Sequence, residues 1–280
     1  MSALEVRIWD VGHGLAAWVH TPTGHHHWID AGAKSDFSPT QHAVKRGYIK
    51  KGELDYLVIS HSDSDHLTDL PDLIANLGEP RVLLRNRKIP DEFKFGKGQL
   101  LDFQRVYKLL DEKYTAAVEW ERSPQNPAYN GGVEIKTHCL DLPQVVNSNN
   151  YSVVAVYRYK GTLIVFPGDI EDSGWQQIEE VVRSDWGTFV SGSNLRFLVA
   201  PHHGRPSGYS DAMMNFFSPH VCILCDGYGK GETDARFRTK PPGVTWKGQV
   251  TKYLTTKTSG RVLVKVPDSG NIELDQIEYQ

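Results

Sequence analysis

Four apolar segments of this chain end in aspartate or histidine, and a turn-forming residue follows close behind each. They are WIDAG (28–32), VISHSDSDH (58–66), IVFPGDI (164–170) and LVAPHHG (198–204). Short apolar runs with polar ends are typical of strands that are covered on both faces. A sheet built from such strands can hold its polar end residues rigidly in one cleft. The pattern therefore predicts buried sheets with a polar site at their edge.

The segments between these strands favour helices and hairpins. LDYLVIS (54–60) has the composition of a covered strand, and leucines at helical spacing predict a helix over 67–77. Further helices are expected over 40–51, 99–112 and 173–183. Strand-rich halves that each carry helices indicate an α/β sandwich made of two sheets.

The chain contains no stretch rich enough in glycine, serine or proline to act as a linker. We therefore predict one domain over 1–280, in which 85–130 is a less regular insertion. At this length, one domain can bury a full hydrophobic core.

Composition limits the classes of function. A formal net charge of −3 excludes a generally basic nucleic-acid coat, although local patches are still allowed. Three cysteines do not make a disulfide framework. The first ten residues carry charges and lack the apolar core of a signal peptide, and no apolar stretch approaches the about 18 residues of a membrane span. We therefore expect a cytoplasmic protein with no membrane partner; the composition does not indicate an oligomeric state.

The segment HSDSDH crowds two histidines and two aspartates into six positions. Crowded carboxylates repel one another and lose solvation, and a bound cation would offset this cost. His61 and Asp63 are two residues apart, so an extended segment can point both to one side. Asp65 and His66, at the start of the predicted helix, would approach from another side. The spacing therefore predicts two half-sites for metal.

These motifs resemble the metallo-β-lactamase superfamily, and within it the metallohydrolase domain of ComEC-like proteins. The superfamily motif is H-x-H-x-D-H, and HSDSDH has Asp63 at the second histidine, a replacement that the ComEC-like subgroup shares. VGHG (11–14), WIDAG, FPGDIE (166–171) and APHHG (200–204) match further motifs of the subgroup in the same order. The resemblance implies a four-layer αββα sandwich with a metal centre at one edge.

The resemblance also implies roles for individual residues. His61 and Asp63 would bind one metal ion, and Asp65 and His66 the other. Asp169 would bridge the two ions, and either His202 or His203 would complete the second half-site. The residues expected to act in catalysis are Asp65, Asp169 and His203. The residues expected to support the ligands or contact substrate are His13, Asp30 and Asn149.

One departure from the superfamily affects the choice of metal. Members usually carry a histidine before the strand that precedes the Gly-Asp motif, but here Asn149 and Asn150 stand near that place, and either could offer only a weak carbonyl oxygen. Of the two, Asn150 is the expected metal ligand. A site with few histidines and several oxygen ligands is harder than a three-histidine zinc site. We therefore expect two divalent ions, either Zn²⁺ or Mn²⁺.

The expected chemistry is hydrolysis by a water that a metal ion has activated. Two ions roughly 3.5–4 Å apart can clamp both oxygens of a displacement at phosphorus, which favours a phosphodiesterase or nuclease. A hydrolase of small esters, thioesters or cyclic nucleotides is the alternative among enzymes, because the fold does not fix the substrate. A binding or regulatory module with impaired catalysis is the alternative outside enzymes.

Two basic segments point to a nucleic acid or nucleotide as partner. Residues 81–97 carry six arginines and lysines with Phe93 and Phe95 between them. Residues 230–261 carry eight, accompanied by aromatic residues. Cations that contact phosphates, together with aromatic rings that stack on bases, are typical of a polyanion groove. The basic and aromatic residues of the second segment are Tyr228, Lys230, Arg236, Phe237, Arg238, Lys240, Trp246, Lys247, Lys252, Tyr253, Lys257 and Arg261.

Two other clusters favour structural roles. His25, His26 and His27 lie between a turn and a strand, where neighbouring side chains point to opposite faces, so we expect an exposed strand. Cys222 and Cys225 form a C-x-x-C pair on a predicted strand. Their odd offset also separates them to opposite faces, which predicts buried core cysteines.

Overall fold

Two β-sheets packed face to face form the centre of the molecule. The structure, a computed structural model, describes residues 2–141, 147–227, 232–270 and 272–276. The strands of these residues are, in chain order, β1 (Ala3–Trp9), β2 (Ala16–His20), β3 (His26–Ala31), β4 (Leu54–Val58), β5 (Val82–Leu84), β6 (Glu134–His138), β7 (Val154–Tyr159), β8 (Thr162–Phe166), β9 (Leu195–Val199), β10 (Val221–Leu224), β11 (Val244–Trp246), β12 (Gln249–Thr251), β13 (Tyr253–Thr255), β14 (Arg261–Pro267) and β15 (Glu273–Gln276).

Both sheets are mixed. The first has the order β15-β14-β1-β2-β3-β4-β5, with β3, β4 and β5 parallel. The second has the order β13-β10-β9-β8-β7-β6, with β8, β9, β10 and β13 parallel. Strands β11 and β12 form a separate hairpin. Because parallel strands share one direction, the residues that follow β4, β8 and β9 can meet at one edge of the sandwich.

Helices lie on the outer faces of the two sheets. In chain order they are α1 (Pro39–Lys45), α2 (Ser64–Leu67), α3 (Leu70–Leu77), α4 (Asp91–Phe95), α5 (Asp102–Lys113), α6 (Asp172–Ser191), α7 (Asp211–Phe217), α8 (Arg236–Thr239) and α9 (Thr256–Ser259). Short 3₁₀ turns cover Trp120–Arg122, Ser148–Tyr151, Pro201–Gly204 and Pro206–Gly208.

Three hydrophobic cores match the layers. The central core lies between the sheets and includes Tyr157 and Ile164. A second core joins the outer face of the first sheet, including Trp28, to α3 and α5. A third joins the outer face of the second sheet to α6 and α7, where Trp175 and Phe217 are fully buried. The predicted four-layer αββα sandwich is therefore confirmed.

The predicted helices differ from the observed ones mainly in their ends. The helix expected over 67–77 is divided, since α2 ends at Leu67 and α3 begins at Leu70. Pro71 lies in the first turn of α3, where its missing N–H costs nothing, but a continuous helix would have needed that donor. The helix predicted over 99–112 is present as α5, which packs on the first sheet through buried Phe103 and Tyr107.

The expectation of an exposed strand at His25, His26 and His27 is wrong. β3 lies between β2 and β4 and is buried along its whole length. His27 is fully buried, and its ring meets the edge of Tyr56 at a centroid distance of 5.3 Å. His26 accepts a hydrogen bond from Trp18 Nε1 at 3.2 Å. A central strand has no solvent face, so alternation alone could not place these histidines.

The prediction for the cysteines is confirmed. Both Cys222 and Cys225 are buried, Cys222 in the core beneath α6 and α7 and Cys225 in the central core. Among the described residues, no helix combines the length and the apolar composition that a membrane span would need.

Candidate metal centre

The ends of β4, β8 and β9 bring polar side chains from distant parts of the chain to one edge. Asp65, His66, Asp169 and His203 each offer one ligand atom, and these four atoms all lie within 4.8 Å of one another. The aspartate after β8 is central, because its two oxygens lie 3.1 Å from His66 Nε2 and 3.3 Å from His203 Nε2. His203 Nε2 also lies 3.1 Å from Asp65 Oδ2.

The two ring nitrogens of this group face each other. His66 Nε2 and His203 Nε2 are 3.2 Å apart, and each also faces carboxylate oxygens. Two histidine nitrogens and two carboxylates around a common point are the ligand types of a Zn²⁺ or Mn²⁺ site. The donor set therefore fits a divalent ion.

Strong electrostatic coupling accompanies this arrangement. Burial would raise the pKa of Asp169, but His203 and His66 outweigh it and hold that pKa well below its usual range. Burial would likewise lower the pKa of His66, yet Asp169 and Asp30 raise it well above its usual value. Carboxylates that are anionic inside a buried site need a positive partner, and a metal ion can replace the protons in that role.

A second place for an ion lies beside His61. Its Nε2 atom is buried and has no hydrogen-bond partner among the described residues. Asp63 Oδ2 lies 3.7 Å from this nitrogen and Asp169 Oδ2 lies 3.9 Å from it. A buried nitrogen without a partner is costly, and a cation held between the three groups would remove that cost.

Asp30 and Ser60 orient both histidines. Asp30 is fully buried with a left-handed φ of 53°, and its carboxylate accepts from the backbone N–H and the hydroxyl of Ser60, each at 2.7 Å. His66 Nδ1 donates to the same carboxylate at 2.7 Å. Because the Ser60 hydroxyl gives its proton to Asp30, it accepts from His61 Nδ1 at 3.0 Å. When these rings are neutral, both Nε2 atoms therefore keep the lone pair that a metal ion needs.

Glycines near the ligands permit a close backbone approach. A Cβ atom on Gly14 or on Gly32 would lie 2.3 Å from the carbonyl oxygen of Asp65. This contact explains why the motifs VGHG and WIDAG both end in glycine. The backbone of His202 and His203 is left-handed, with φ values of 49° and 56°. Such strain in residues with side chains is concentrated at functional sites.

The structure brings His203, rather than His202, into the ligand group. His202 Nδ1 lies 2.8 Å from the Ser207 hydroxyl and 3.5 Å from Glu171 Oε1. His13 lies at the mouth of the site, where its ring is 4.1 Å from that of His203 and its Nε2 is 3.6 Å from Asp65 Oδ2. Burial and the neighbouring His203 lower the pKa of His13 to about 4.

The asparagines before β7 are not brought to the ligand group. Asn150 Oδ1 accepts from the backbone N–H of Glu171 at 2.9 Å, and its amide nitrogen donates to Ser173 Oγ at 3.2 Å. Asn149 donates to Glu171 Oε1 at 3.1 Å. Both side chains hold the start of α6, which corrects the expectation of Asn150 as a metal ligand. Ser60 and Glu171, whose roles sequence reasoning missed, are polar residues close to the motif residues: Ser60 directly precedes His61, and Glu171 lies two residues after Asp169.

Four of the six basic residues of segment 81–97 form ion pairs with carboxylates of the chain. Arg85 and Lys94 are buried and bind opposite oxygens of Asp111 at 2.6 and 2.8 Å. Lys88 pairs with Asp141 at the surface. Phe95 lies in the hydrophobic core beneath the first sheet.

Segment 230–261 leaves more of its described basic residues without a carboxylate partner. Arg238 and Lys252 have no carboxylate within ion-pair distance in the described part of the chain. Tyr228 and Lys230, expected in this cluster, lie outside the described residues.

Comparison with known proteins agrees with the fold and the motifs. A model of the metallo-β-lactamase superfamily matches residues 29–210, more than half of the chain. The chain is 23% identical over 247 residues to ComE operon protein 3 of Bacillus subtilis, covering 80% of this chain and 28% of that protein. It is 26% identical over 265 residues to competence protein ComA of Neisseria gonorrhoeae, covering 91% and 31%. The chain therefore spans less than a third of the length of these relatives.

Solved structures share the fold at low sequence identity. A CmlA β-hydroxylase variant superposes with a TM-score of 0.51 at 12% identity, over 94% of this chain and 53% of that one. The metallo-β-lactamase-fold protein YhfI of Bacillus subtilis has a TM-score of 0.46 at 13% identity, over 97% of this chain and 100% of its own. At 12% identity, the likeness to the CmlA β-hydroxylase variant speaks for the fold alone.

Proposed function

The chain belongs to the metallo-β-lactamase superfamily, and from this premise we propose that it is a phosphodiesterase or nuclease that uses two divalent ions, Zn²⁺ or Mn²⁺. The observation that carries the proposal is the pair of half-sites around Asp169. One half-site gathers Asp65, His66 and His203, and the other places His61 Nε2, without a partner, beside Asp63. Both share the central aspartate.

The residues of the chain have separate tasks in this proposal. His66, His203 and Asp65 would hold one ion with Asp169, and His61 and Asp63 would hold the other with the same aspartate. Bound divalent ions would supply a nucleophilic water near neutral pH and positive charge for the transition state. Asp30 keeps the ring of His66 in one orientation by accepting from its Nδ1.

The oxygen-rich character of the site favours phosphorus chemistry. The half-site at His61 has one histidine and two carboxylates, which suits Mn²⁺ as well as Zn²⁺. Two ions that share a carboxylate can bind the attacking and the leaving oxygen of a phosphodiester together. The proposed substrate class is therefore the phosphodiester.

We also propose that the protein acts in the cytoplasm. Its three cysteines are free thiols, and two of them are fully enclosed in cores where they cannot pair with each other. Free thiols are kept in this state in reducing compartments. Fractionation of cells that express the protein would test the location.

The test combines metal analysis with hydrolysis of bis(p-nitrophenyl) phosphate and of a single-stranded oligonucleotide, each with added Zn²⁺ or Mn²⁺. We expect two ions per chain and hydrolysis that stops in Asp169→Asn. Asp185→Asn is the matched control, because Asp185 is an exposed aspartate that pairs with Lys136 on the surface. Stoichiometric metal without cleavage of either phosphodiester, but with cleavage of p-nitrophenyl acetate, would overturn the proposed substrate class. A protein that binds no metal would overturn the proposed activity altogether.

A further inference from the structure

A groove runs along β13, the edge strand of the second sheet. Its volume is about 650 Å³, and the hairpin β11–β12 forms its second wall. The side chains that give the groove its character are Asp226, Arg238, Trp246, Lys252, Tyr253 and Lys257. We call this surface the β13 groove.

The charge of the β13 groove is positive although the whole protein is slightly acidic. Three cations line it against one carboxylate, and that carboxylate, Asp226, lies 3.8 Å from Lys257 Nζ. Arg238 donates to Thr233 Oγ1, and Lys252 donates to a backbone carbonyl. Neither reaches a carboxylate in the described ranges, and Arg238 Nε has no hydrogen-bond partner there. Two positive charges are therefore available to an anionic ligand.

Aromatic rings stand beside these cations. Tyr253 is 41% exposed, which is high for a large ring, and the guanidinium of Arg238 lies 5.5 Å from its centroid. On the opposite wall, Trp246 is held by a hydrogen bond from its Nε1 to a backbone carbonyl, and Lys247 Nζ lies 4.5 Å from its ring. The exposed ring of Tyr253 is suited to stack on a base while the cations contact phosphates, and the partly buried ring of Trp246 borders the same groove.

A series of contacts links one end of the β13 groove to the metal ligands. Asp226, in its lining, accepts from Thr255 Oγ1 at 3.0 Å. The next residue, Gly227, packs so tightly on the VGHG loop that a Cβ atom there would lie 2.6 Å from the backbone nitrogen of His13. The ring of His13 in turn lies 4.1 Å from that of His203 in the ligand group, at an angle of 57°. One end of the groove is therefore connected to the ligand group through Gly227 and His13.

We propose that the β13 groove binds a single-stranded polynucleotide and delivers its phosphodiester backbone to the metal centre. The inference rests on the proposed function for the fate of the strand, whereas binding in the groove can be measured by itself. A single strand is the occupant because its unpaired bases are open to stacking on Tyr253 and Trp246, which a duplex would not allow. DNA and RNA share this chemistry, so both belong in the test.

The test uses fluorescence anisotropy with labelled single-stranded DNA, single-stranded RNA and duplex DNA of equal length, in the Asp169→Asn protein to prevent cleavage. In this background, Arg238→Ala/Lys252→Ala should weaken single-strand binding at least about ten-fold. The same variant should reduce the slope of log affinity against log salt concentration by about 1.4, because each of the two lost phosphate contacts contributes about 0.7. Tyr253→Ala should weaken binding about ten-fold through lost stacking, and Tyr253→Phe should restore it. Thermal melting of each variant verifies the fold.

The matched control is Arg87→Ala/Lys97→Ala with Trp120→Ala, which removes two exposed cations and one exposed ring, none of which lines the groove. Equal losses in the control and in the groove variants would overturn the groove, as would stronger binding of duplex than of single strands. In the active protein, the ratio of oligonucleotide cleavage to bis(p-nitrophenyl) phosphate hydrolysis should fall at least about ten-fold in the groove variants. If the protein does not hydrolyse bis(p-nitrophenyl) phosphate but still binds single strands in the groove, the proposed function is wrong and the proposed groove is kept. If it hydrolyses bis(p-nitrophenyl) phosphate and the groove variants leave the ratio unchanged, the proposed groove is wrong and the proposed function is kept.

Discussion

The two halves of the metal centre are built to different degrees of completeness. On the His66 side, four ligand atoms lie within 4.8 Å of one another and both ring nitrogens of His66 have partners. On the His61 side, the Nε2 atom has no partner, its nearest carboxylates are 3.7 and 3.9 Å away, and the side chain of Asp63 is 43% exposed. The first half is preorganised, and the second would have to contract to hold an ion.

This difference predicts an order of filling. A preorganised ligand group loses little conformational freedom on binding, whereas an exposed aspartate must be immobilised first. We therefore expect the His66 side to bind its ion more tightly than the His61 side. A titration of metal-free protein should then show two steps of unequal affinity. The four predictions below change one element of the comparison at a time.

The largest effect is expected for Asp169→Asn, because Asp169 faces both halves. The amide carries no charge to hold two cations, so both binding steps should weaken and hydrolysis should fall about 10³-fold, which corresponds to several kcal/mol of lost metal assistance. Calorimetric metal titration and hydrolysis of bis(p-nitrophenyl) phosphate measure the two effects. If the variant loses one binding step and keeps the other unchanged, Asp169 is not shared.

The next largest effects are expected for His66→Ala and His61→Ala, and comparing the two variants distinguishes the two halves of the site. His66→Ala should abolish the tighter step, and His61→Ala should abolish the weaker step while the tighter one keeps its affinity. Hydrolysis should fall about 100-fold or more in both variants, since an in-line displacement at phosphorus uses both ions. The measurement is again a metal titration. Loss of the tighter step in His61→Ala would reverse the comparison.

An intermediate effect is expected for Asp30→Asn. The asparagine tolerates the left-handed backbone at this position and keeps the size of the side chain. However, it is a weaker acceptor for His66 Nδ1, so the tighter binding step should weaken by about 10–100-fold, the usual cost of losing a group that orients a ligand. The His61 side should change less. Equal weakening of both steps would show that Asp30 supports the whole centre rather than one half.

Much of this centre was predictable from the sequence, because strand ends and motif spacing determine which residues meet at a sheet edge. His61, Asp65, His66 and Asp169 were all indicated by that pattern. The choice between neighbours was not predictable. His203 and His202 share the same motif, and only the left-handed backbone of the turn decides which ring faces the carboxylates.

Ion pairs between residues that are distant along the chain were also not predictable from the sequence. The basic segment 81–97 has the composition of a surface that binds a polyanion, yet Arg85 and Lys94 are buried against Asp111, which lies on α5. The sequence shows each charge but not its partner, and the partner decides whether a cation is available. In the same way, the sequence predicts Asn150 as a weak ligand, but its side-chain amide is hydrogen-bonded to Glu171 and Ser173 at the start of α6.

The smallest effect is expected for Ser60→Ala, the group common to both halves. Its buried hydroxyl donates to Asp30 at 2.7 Å and lies 3.0 Å from His61 Nδ1 and 3.3 Å from His66 Nδ1. One hydrogen bond contributes about 0.5–1.5 kcal/mol, so metal affinity should fall about 3–10-fold. The loss should be greater at the His61 side, because His61 Nδ1 then has no acceptor, whereas His66 Nδ1 still donates to Asp30. Ser62→Ala, which removes only a hydroxyl that donates to a backbone carbonyl at 3.3 Å, is the control. A greater loss at the His66 side would show that Ser60 acts through Asp30, and that the two halves are coupled rather than independent.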